Sequence, residues 1–252
     1  MKAIYLLLAA ATPLSIPSLA NAQATEAPAA EMSSHVRLVD AIASEEVRAI
    51  TFEVAMREIE AFYRKDPGMA ELEADCPGTI SEIVAGSRGL MKEYHELESR
   101  VLKERQLPAL RAALIDEHAA GAADFYSSEL GQKLLLSVAT NYSIGESLDS
   151  ATSATTTRGK NTGEIQIDRE AFDRDQQKTV EDAVKGLTQA EVMQIGMQVM
   201  GKEWFPAFQK LSPTLAQINF DVSNSNLDPS IDKRLDETLN RILDDAFERC
   251  PA

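Results

Sequence analysis

Two histidines, His95 and His118, are candidates for acid–base chemistry. An imidazole beside a carboxylate can transfer protons near neutral pH or bind a metal ion, and Glu98 follows His95 at helical spacing. Two such ligands leave a metal site incomplete. His118 has no acidic residue three or four positions away and shares a helical face with Leu114 and Phe125, which favours a hydrogen-bonded core histidine. A hydrolase or lyase that uses carboxylates with His118 or His95 remains one hypothesis, and we expect no metal or cofactor.

The two cysteines, Cys76 and Cys250, are each followed by a proline and lie 174 residues apart. In an oxidising compartment an isolated pair most simply forms one disulfide. Redox catalysis is the alternative, but the CxxC spacing is missing and no histidine is close to either cysteine in sequence. We therefore predict a structural Cys76–Cys250 disulfide.

The first 22 residues have the pattern of a secretory signal peptide. Lys2 gives a positive end, an apolar run follows, and the small residues ANA at positions 20–22 form a cleavage pattern. We expect cleavage after Ala22, a periplasmic location and no transmembrane segment in the mature chain, because no later apolar run approaches the length of a membrane span. Residues 23–34 contain few large apolar groups, which predicts a disordered lead-in before the folded part.

The mature chain is strongly acidic. Without residues 1–22, 24 basic and 40 acidic residues remain, a net charge of −16. Such a charge argues against nucleic acid as a partner, because phosphate backbones are polyanions. The charge by itself promotes solubility, and a cationic partner is the alternative explanation.

Capping signals along the chain are typical of helices. Three acceptor–proline pairs place a side-chain acceptor at an N-cap and proline at the first helical position, and two Thr-x-x-Glu segments have capping-box spacing. These predicted helix starts are Asp66–Pro67, Ser212–Pro213, Asp228–Pro229, Thr79–Glu82 and Thr188–Glu191. Apolar residues recur every three or four positions, as in Leu130, Leu134, Val138 and Tyr142. The sequence therefore predicts an all-α, multi-helix bundle.

The polar stretch from Asp149 to Gly163 divides the predicted helices into two groups. It is rich in Ser, Thr and Gly, as flexible linkers are. We therefore expect an N-terminal helical half at 35–149, a flexible linker at 150–167 and a C-terminal half at 168–252, with two similar halves as an option. The segment EIQID at 164–168 is the one short strand candidate.

The segment FYSSELGQKLL, from Phe125 to Leu135, reads as a joint between two helices. A helix over 108–126 would end at the aromatic pair, and Ser127 or Ser128 would cap the next one. Phe125 and Leu134 would fill the angle between the helices. Packing explains Tyr126 least well.

Glu129, Gly131 and Lys133 have structural explanations within the same segment. Glu129 stands four residues before Lys133, the favourable orientation for an ion pair on a helix surface. Gly131 costs about 1 kcal/mol relative to alanine inside a helix, which indicates either close approach of another helix or a groove kept open.

The residues FYSS followed by LGQKLL resemble the signature of domain-of-unknown-function family 2059, small exported helical proteins of Gram-negative bacteria. The resemblance covers at most about residues 97–148. Five residues carry the motif in this chain: Phe125, Tyr126, Ser128, Gly131 and Lys133. The resemblance implies an exported helical bundle and implies no reaction.

These observations favour a non-catalytic exported module that binds a protein or cell-envelope component in a groove between its halves. The hydrolase or lyase is the first alternative, and a binder of apolar ligands or a chaperone-like protein is the second. Met193, Met197 and Met200 share one helical face and suggest the latter, although such a stripe is more typical of a core. A pocket with convergent ionisable groups would favour the enzyme, and a dry apolar groove the ligand binder.

Overall fold

A computed structural model describes residues 32–157 and 166–250, the side chains of 152–157 excepted. These residues fold into α-helices and none of them lies in a strand, which confirms an all-α, multi-helix bundle. The predicted signal peptide, its cleavage site after Ala22 and most of the lead-in lie outside the described residues. In chain order the helices are α1 (Ser34–Ile42), α2 (Glu45–Lys65), α3 (Pro67–Asp75), α4 (Thr79–Ala113), α5 (Asp116–Ser127), α6 (Glu129–Thr140), α7 (Gly145–Thr157), α8 (Arg169–Lys185), α9 (Gln189–Val199), α10 (Trp204–Ser223) and α11 (Pro229–Arg249).

Four of the five predicted helix starts are confirmed, and three of them have the predicted side-chain cap. The Asp66 carboxylate accepts a hydrogen bond from the Met69 N–H at 2.9 Å, and that of Asp228 accepts one from the Ser230 N–H at 2.8 Å. Thr188 starts α9 with a complete capping box. In each case the satisfied donor is one that the first helical turn would otherwise leave without a partner.

The predicted capping box at Thr79–Glu82 is wrong. Helix α4 begins after Gly78, whose φ of 98° lies in the left-handed region that favours glycine. The carboxylate of Glu73, from the preceding helix, accepts hydrogen bonds from the N–H groups of Gly78 and Ile80. Thr79 instead donates its hydroxyl to the Cys76 carbonyl at 2.8 Å. A side chain from a neighbouring helix has therefore replaced the local cap.

The predicted helix start at Ser212–Pro213 is also wrong, because α10 continues through Pro213. Proline removes one backbone hydrogen bond there. Phe208, Leu211 and Leu215 are buried on both sides of it, so one apolar face runs unbroken along the helix. Burial of this face outweighs the lost hydrogen bond.

The predicted helix over 108–126 is in fact two helices. Helix α4 runs to Ala113 with Pro108 inside it, and α5 begins at Asp116. Leu114 lies between them in an extended conformation, and its side chain is buried. Its carbonyl accepts a hydrogen bond from His35 Nε2 at 2.9 Å, so a contact from α1 satisfies the backbone at the break.

A single large apolar cluster joins helices from both sides of the predicted linker. It contains Leu38 of α1, Tyr126 of α5 and Phe208 of α10, and the rings of the last two have centroids 5.9 Å apart. Residues 150–157 of the predicted linker belong to α7, whereas 158–165 lie outside the described residues. Of the strand candidate at 164–168, residues 166–168 are in no regular element.

The predicted disulfide joins the ends of two helices. Cys76 is the C-cap of α3 and Cys250 the C-cap of α11, and their Cα atoms are 5.5 Å apart. The bond ties α11 to the N-terminal part of the chain. Within the described ranges, no helix combines the length and apolarity that a membrane span requires.

Candidate functional site

The five motif residues lie at the elbow between α5 and α6, and most of them have structural roles. Phe125 and Tyr126 are buried, with ring centroids 5.1 Å apart. The Ser128 hydroxyl accepts a hydrogen bond from the Gly131 N–H at 3.1 Å, which confirms Ser128 as the N-cap of α6. Tyr126 is completely buried and is one of the largest core side chains. Packing therefore explains this residue, contrary to the sequence-based expectation.

Lys133 does not form the predicted ion pair with Glu129. It pairs instead with Glu191, at the start of α9. Glu191 is already held in place by the capping box with Thr188, so its carboxylate loses little side-chain entropy when it binds the lysine. Lys133 and the hydrogen bonds from Thr188 lower the pKa of Glu191 to about 2.

A mainly apolar cavity lies elsewhere in the described structure, between α2, α4, α7, α8 and α10. Its volume of about 370 Å³ is in the range of small-molecule sites. Most of its wall is apolar, formed by Phe52, Ala55, Met56, Ile59, Met91, Leu102, Ile144, Leu148, Ala151, Ile167 and Phe172. The polar atoms come from a smaller set that includes Tyr94, His95, Glu98, Tyr142, Ser147, Gln176, Asn219 and Ser223.

A buried carboxylate holds the α7 side of this cavity in place. Asp175 of α8 accepts hydrogen bonds from the Ser143 hydroxyl at 3.1 Å and from the N–H groups of Glu146 and Ser147 at 3.2 and 2.8 Å. It therefore satisfies the first donors of α7 from another helix. This contact fixes Ser147, and through the helix Leu148, in the cavity wall.

His95 and Glu98 both line the cavity, as the enzyme hypothesis requires. Burial, together with the nearby Arg48 guanidinium, lowers the pKa of His95 from 6.5 to about 4. Burial also raises the pKa of Glu98, whose carboxylate accepts a hydrogen bond from the Ser223 hydroxyl at 3.2 Å. Both environments favour the uncharged form of the side chain. The apolar wall of the cavity thus disfavours charge on both side chains.

Burial also favours the uncharged form of two tyrosines in the cavity wall, Tyr94 and Tyr142. Burial raises the pKa of Tyr94 to about 12, and it raises the pKa of Tyr142 as well. Tyr94 donates a hydrogen bond from its hydroxyl to the Ser225 carbonyl at 3.3 Å. Both phenols therefore stay protonated at neutral pH.

His118, the other candidate for acid–base chemistry, does not line this cavity. It is only half-buried on α5, so the predicted core position is wrong. Nor does any group of three or more His, Cys, Asp or Glu side chains in the described ranges have the geometry of a metal site.

The methionines of α9 are on the surface rather than in the core. Met193, Met197 and Met200 are 59%, 67% and 68% exposed, because Ile195 and Val199 form the buried face of this short helix. The prediction of a core stripe is therefore wrong. Thioethers at these positions are open to solvent and to oxidants.

Mild peroxide treatment should convert Met193, Met197 and Met200 to sulfoxides well before Met56, which is only 3% exposed. Peptide mass mapping over a time course measures each position. The same treatment in urea is the control, because unfolding should bring Met56 to a similar rate. Equal rates in the folded protein would contradict the exposure of the α9 face.

Sequence reasoning placed His95 and Glu98 at helical spacing but missed the cavity around them. Phe52 and Met56 come from α2 and Phe172 from α8, two helices far apart in sequence, and in each of them the apolar spacing is the same as that of a filled core. Comparison with models of known protein families, with curated proteins and with solved structures gave no match to this chain. The function is therefore inferred from the cavity and its surroundings.

Proposed function

We propose that this chain is an exported, periplasmic protein that binds a cell-envelope component through an apolar chain, without transforming it. The observation that carries the proposal is the cavity of about 370 Å³ with its mainly aliphatic and aromatic wall. An apolar chain that leaves water for such a wall gains about 25 cal/mol for each Å² of surface buried.

Export is supported by the signal-like residues 1–22, with cleavage after Ala22. A disulfide between Cys76 and Cys250 is compatible with an oxidising compartment. Membership of domain-of-unknown-function family 2059 is part of the same proposal, on the strength of the motif at the α5–α6 elbow. A protein partner is the other form of the binding hypothesis, with the exposed α9 methionines as its apolar contact surface.

A hydrolase or lyase that uses His95 and Glu98 is the second candidate, because both residues line the cavity. Hydrolysis needs a nucleophile or an activated water beside a base. The hydroxyl of Ser223 donates to Glu98 at 3.2 Å, which is the contact that a nucleophile makes with its base. This contact is what favours the enzyme as the second candidate, whereas the mainly apolar wall around it favours binding over catalysis.

A variant that fills the cavity tests the binding proposal. Ala55→Trp introduces an indole into the wall and should weaken the binding of N-phenyl-naphthylamine, a neutral apolar dye, at least about tenfold. Ala190→Trp adds the same side chain at an exposed position of α9 and should leave binding unchanged. Dye fluorescence measures affinity, and circular dichroism verifies folding. Equal affinity in both variants, or no binding by the wild type, would refute the proposal.

A further inference from the structure

A second cavity adjoins the first and has a different character. Its volume is about 460 Å³, and its lining includes three cationic side chains, Arg48, Arg88 and Lys92. Phe52 and His95 line both cavities, so the two spaces meet at this pair. A mainly apolar cavity and a cavity with cationic groups therefore lie side by side.

Arg48 has hydrogen-bonding capacity that the described residues do not use. Its Nε atom is buried and has no hydrogen-bond partner in this part of the chain. A buried donor without a hydrogen bond costs free energy. Burial also disfavours the charged form of the side chain and lowers the pKa of Arg48. A guanidinium offers five donors in a planar fork that matches a carboxylate or a phosphate.

None of the three carboxylates that line the second cavity forms an ion pair with the Arg48 guanidinium. Glu53 is engaged by Arg88, whose guanidinium also lies 5.3 Å from the centre of the Phe52 ring. Glu45 and Glu96 are exposed and act on Arg48 only through space. The three carboxylates of this cavity equal its three cations in number, so hydrogen bonds to the Arg48 guanidinium, and not a net positive charge, must hold the anion.

We infer that the ligand is an amphiphile whose anionic headgroup, a carboxylate or a phosphate, binds Arg48 in the second cavity while its alkyl chain occupies the first. This inference rests on the proposed function and adds the ligand class. Lys92, at the same cavity, supplies a second positive charge. Phe52 and His95 lie where the headgroup meets the chain, and His95 is uncharged at neutral pH, so the positive charge there comes from Arg48 and Lys92.

Two ligands with the same chain and different headgroups test the inference. Dodecanoic acid is ionised at neutral pH and dodecanol is not, so their affinity ratio reports the headgroup alone. The acid should displace the neutral dye about tenfold or more better than the alcohol, because charge-assisted bidentate hydrogen bonds are the strong ones. Dodecyl phosphate in a third arm shows which anion binds more tightly.

The Arg48→Met variant should lose the preference for the acid and keep its affinity for dodecanol. Arg48→Lys, which keeps the charge but not the fork, should retain part of the preference and serves as the second variant if the first fails to fold. Arg37→Met is the matched control, because it removes one positive charge at a surface ion pair with Asp124. It should leave the preference intact.

The outcomes separate this inference from the function on which it rests. If wild-type protein binds acid and alcohol equally, or Arg48→Met keeps the preference, the headgroup site is refuted while the apolar binding function stands. If neither ligand binds, both are refuted. A preference that disappears in Arg48→Met and persists in Arg37→Met supports the inference.

Discussion

Gly131→Ala is expected to destabilise the protein by about 3 kcal/mol or more, although it adds a single methyl group. A Cβ atom at this position would overlap the carbonyl oxygen of Phe125 and approach the Cα of Tyr126 to 2.8 Å. Both are backbone atoms of the preceding helix, so no side chain can rotate away, and overpacking must be relieved by moving α5 relative to α6. That movement would also strain the Ser128 cap, whose hydroxyl binds the Gly131 N–H.

Urea denaturation followed by circular dichroism measures the change, with Gly196→Ala as the matched control. Gly196 also lies inside a helix, yet a Cβ there would meet nothing within 4 Å. Alanine should stabilise that position by about 0.5–1 kcal/mol, because it restricts the unfolded chain and favours helix. Similar effects at the two positions would show that the elbow can relax. That result would favour the alternative explanation of Gly131, in which the glycine keeps a groove open.

Removal of the disulfide is expected to cost about 2–5 kcal/mol. The Cys76–Cys250 bond closes a loop of 174 residues, so its loss greatly increases the conformational freedom of the unfolded chain. A Cys76→Ala, Cys250→Ala double variant avoids a free thiol. Its unfolding free energy should match that of the reduced wild type, measured by urea titration with and without a reducing agent.

Arg249→Gln is the control at the same end of α11. Arg249 pairs with Glu82 of α4 across the surface, next to the disulfide in sequence. Exposed ion pairs contribute little, so this variant should change stability far less than the double variant. A cost as large as that of the double variant would mean that the surface contact, and not the covalent bond, holds α11. Addition of reductant should still destabilise Arg249→Gln and should leave the double variant unchanged.

Local capping geometry explains which helix caps could be predicted. Asp66, Thr188 and Asp228 cap helices through hydrogen bonds to residues two or three positions away, so the sequence contains all the partners. The start of α7 depends on Asp175, almost 30 residues away, and that of α4 on Glu73 in another helix. No local pattern distinguishes these carboxylates from other acidic residues.

The same distinction applies to the candidate site. Helical spacing put His95 and Glu98 on one face of a helix, and both do line the apolar cavity. The sequence could not distinguish a cavity from a filled core, because Phe52 and Phe172 would show the same apolar periodicity in either. The same limit applies to ion pairs. Lys133 pairs with Glu191, which is 58 residues away in sequence, and not with Glu129, which is four residues away.

The sequence alone determined the helical fold class, four helix starts, three of them with their caps, and the pairing of the two cysteines. Each of these depends on short-range backbone chemistry or, for the cysteines, on there being one way to pair two thiols. Tertiary structure decided that α4 ends at Ala113, which face of α9 is buried, and where space remains between α2, α4 and α8. Those features depend on how side chains from distant helices fill the same volume, and packing of that kind is a property of the assembled bundle.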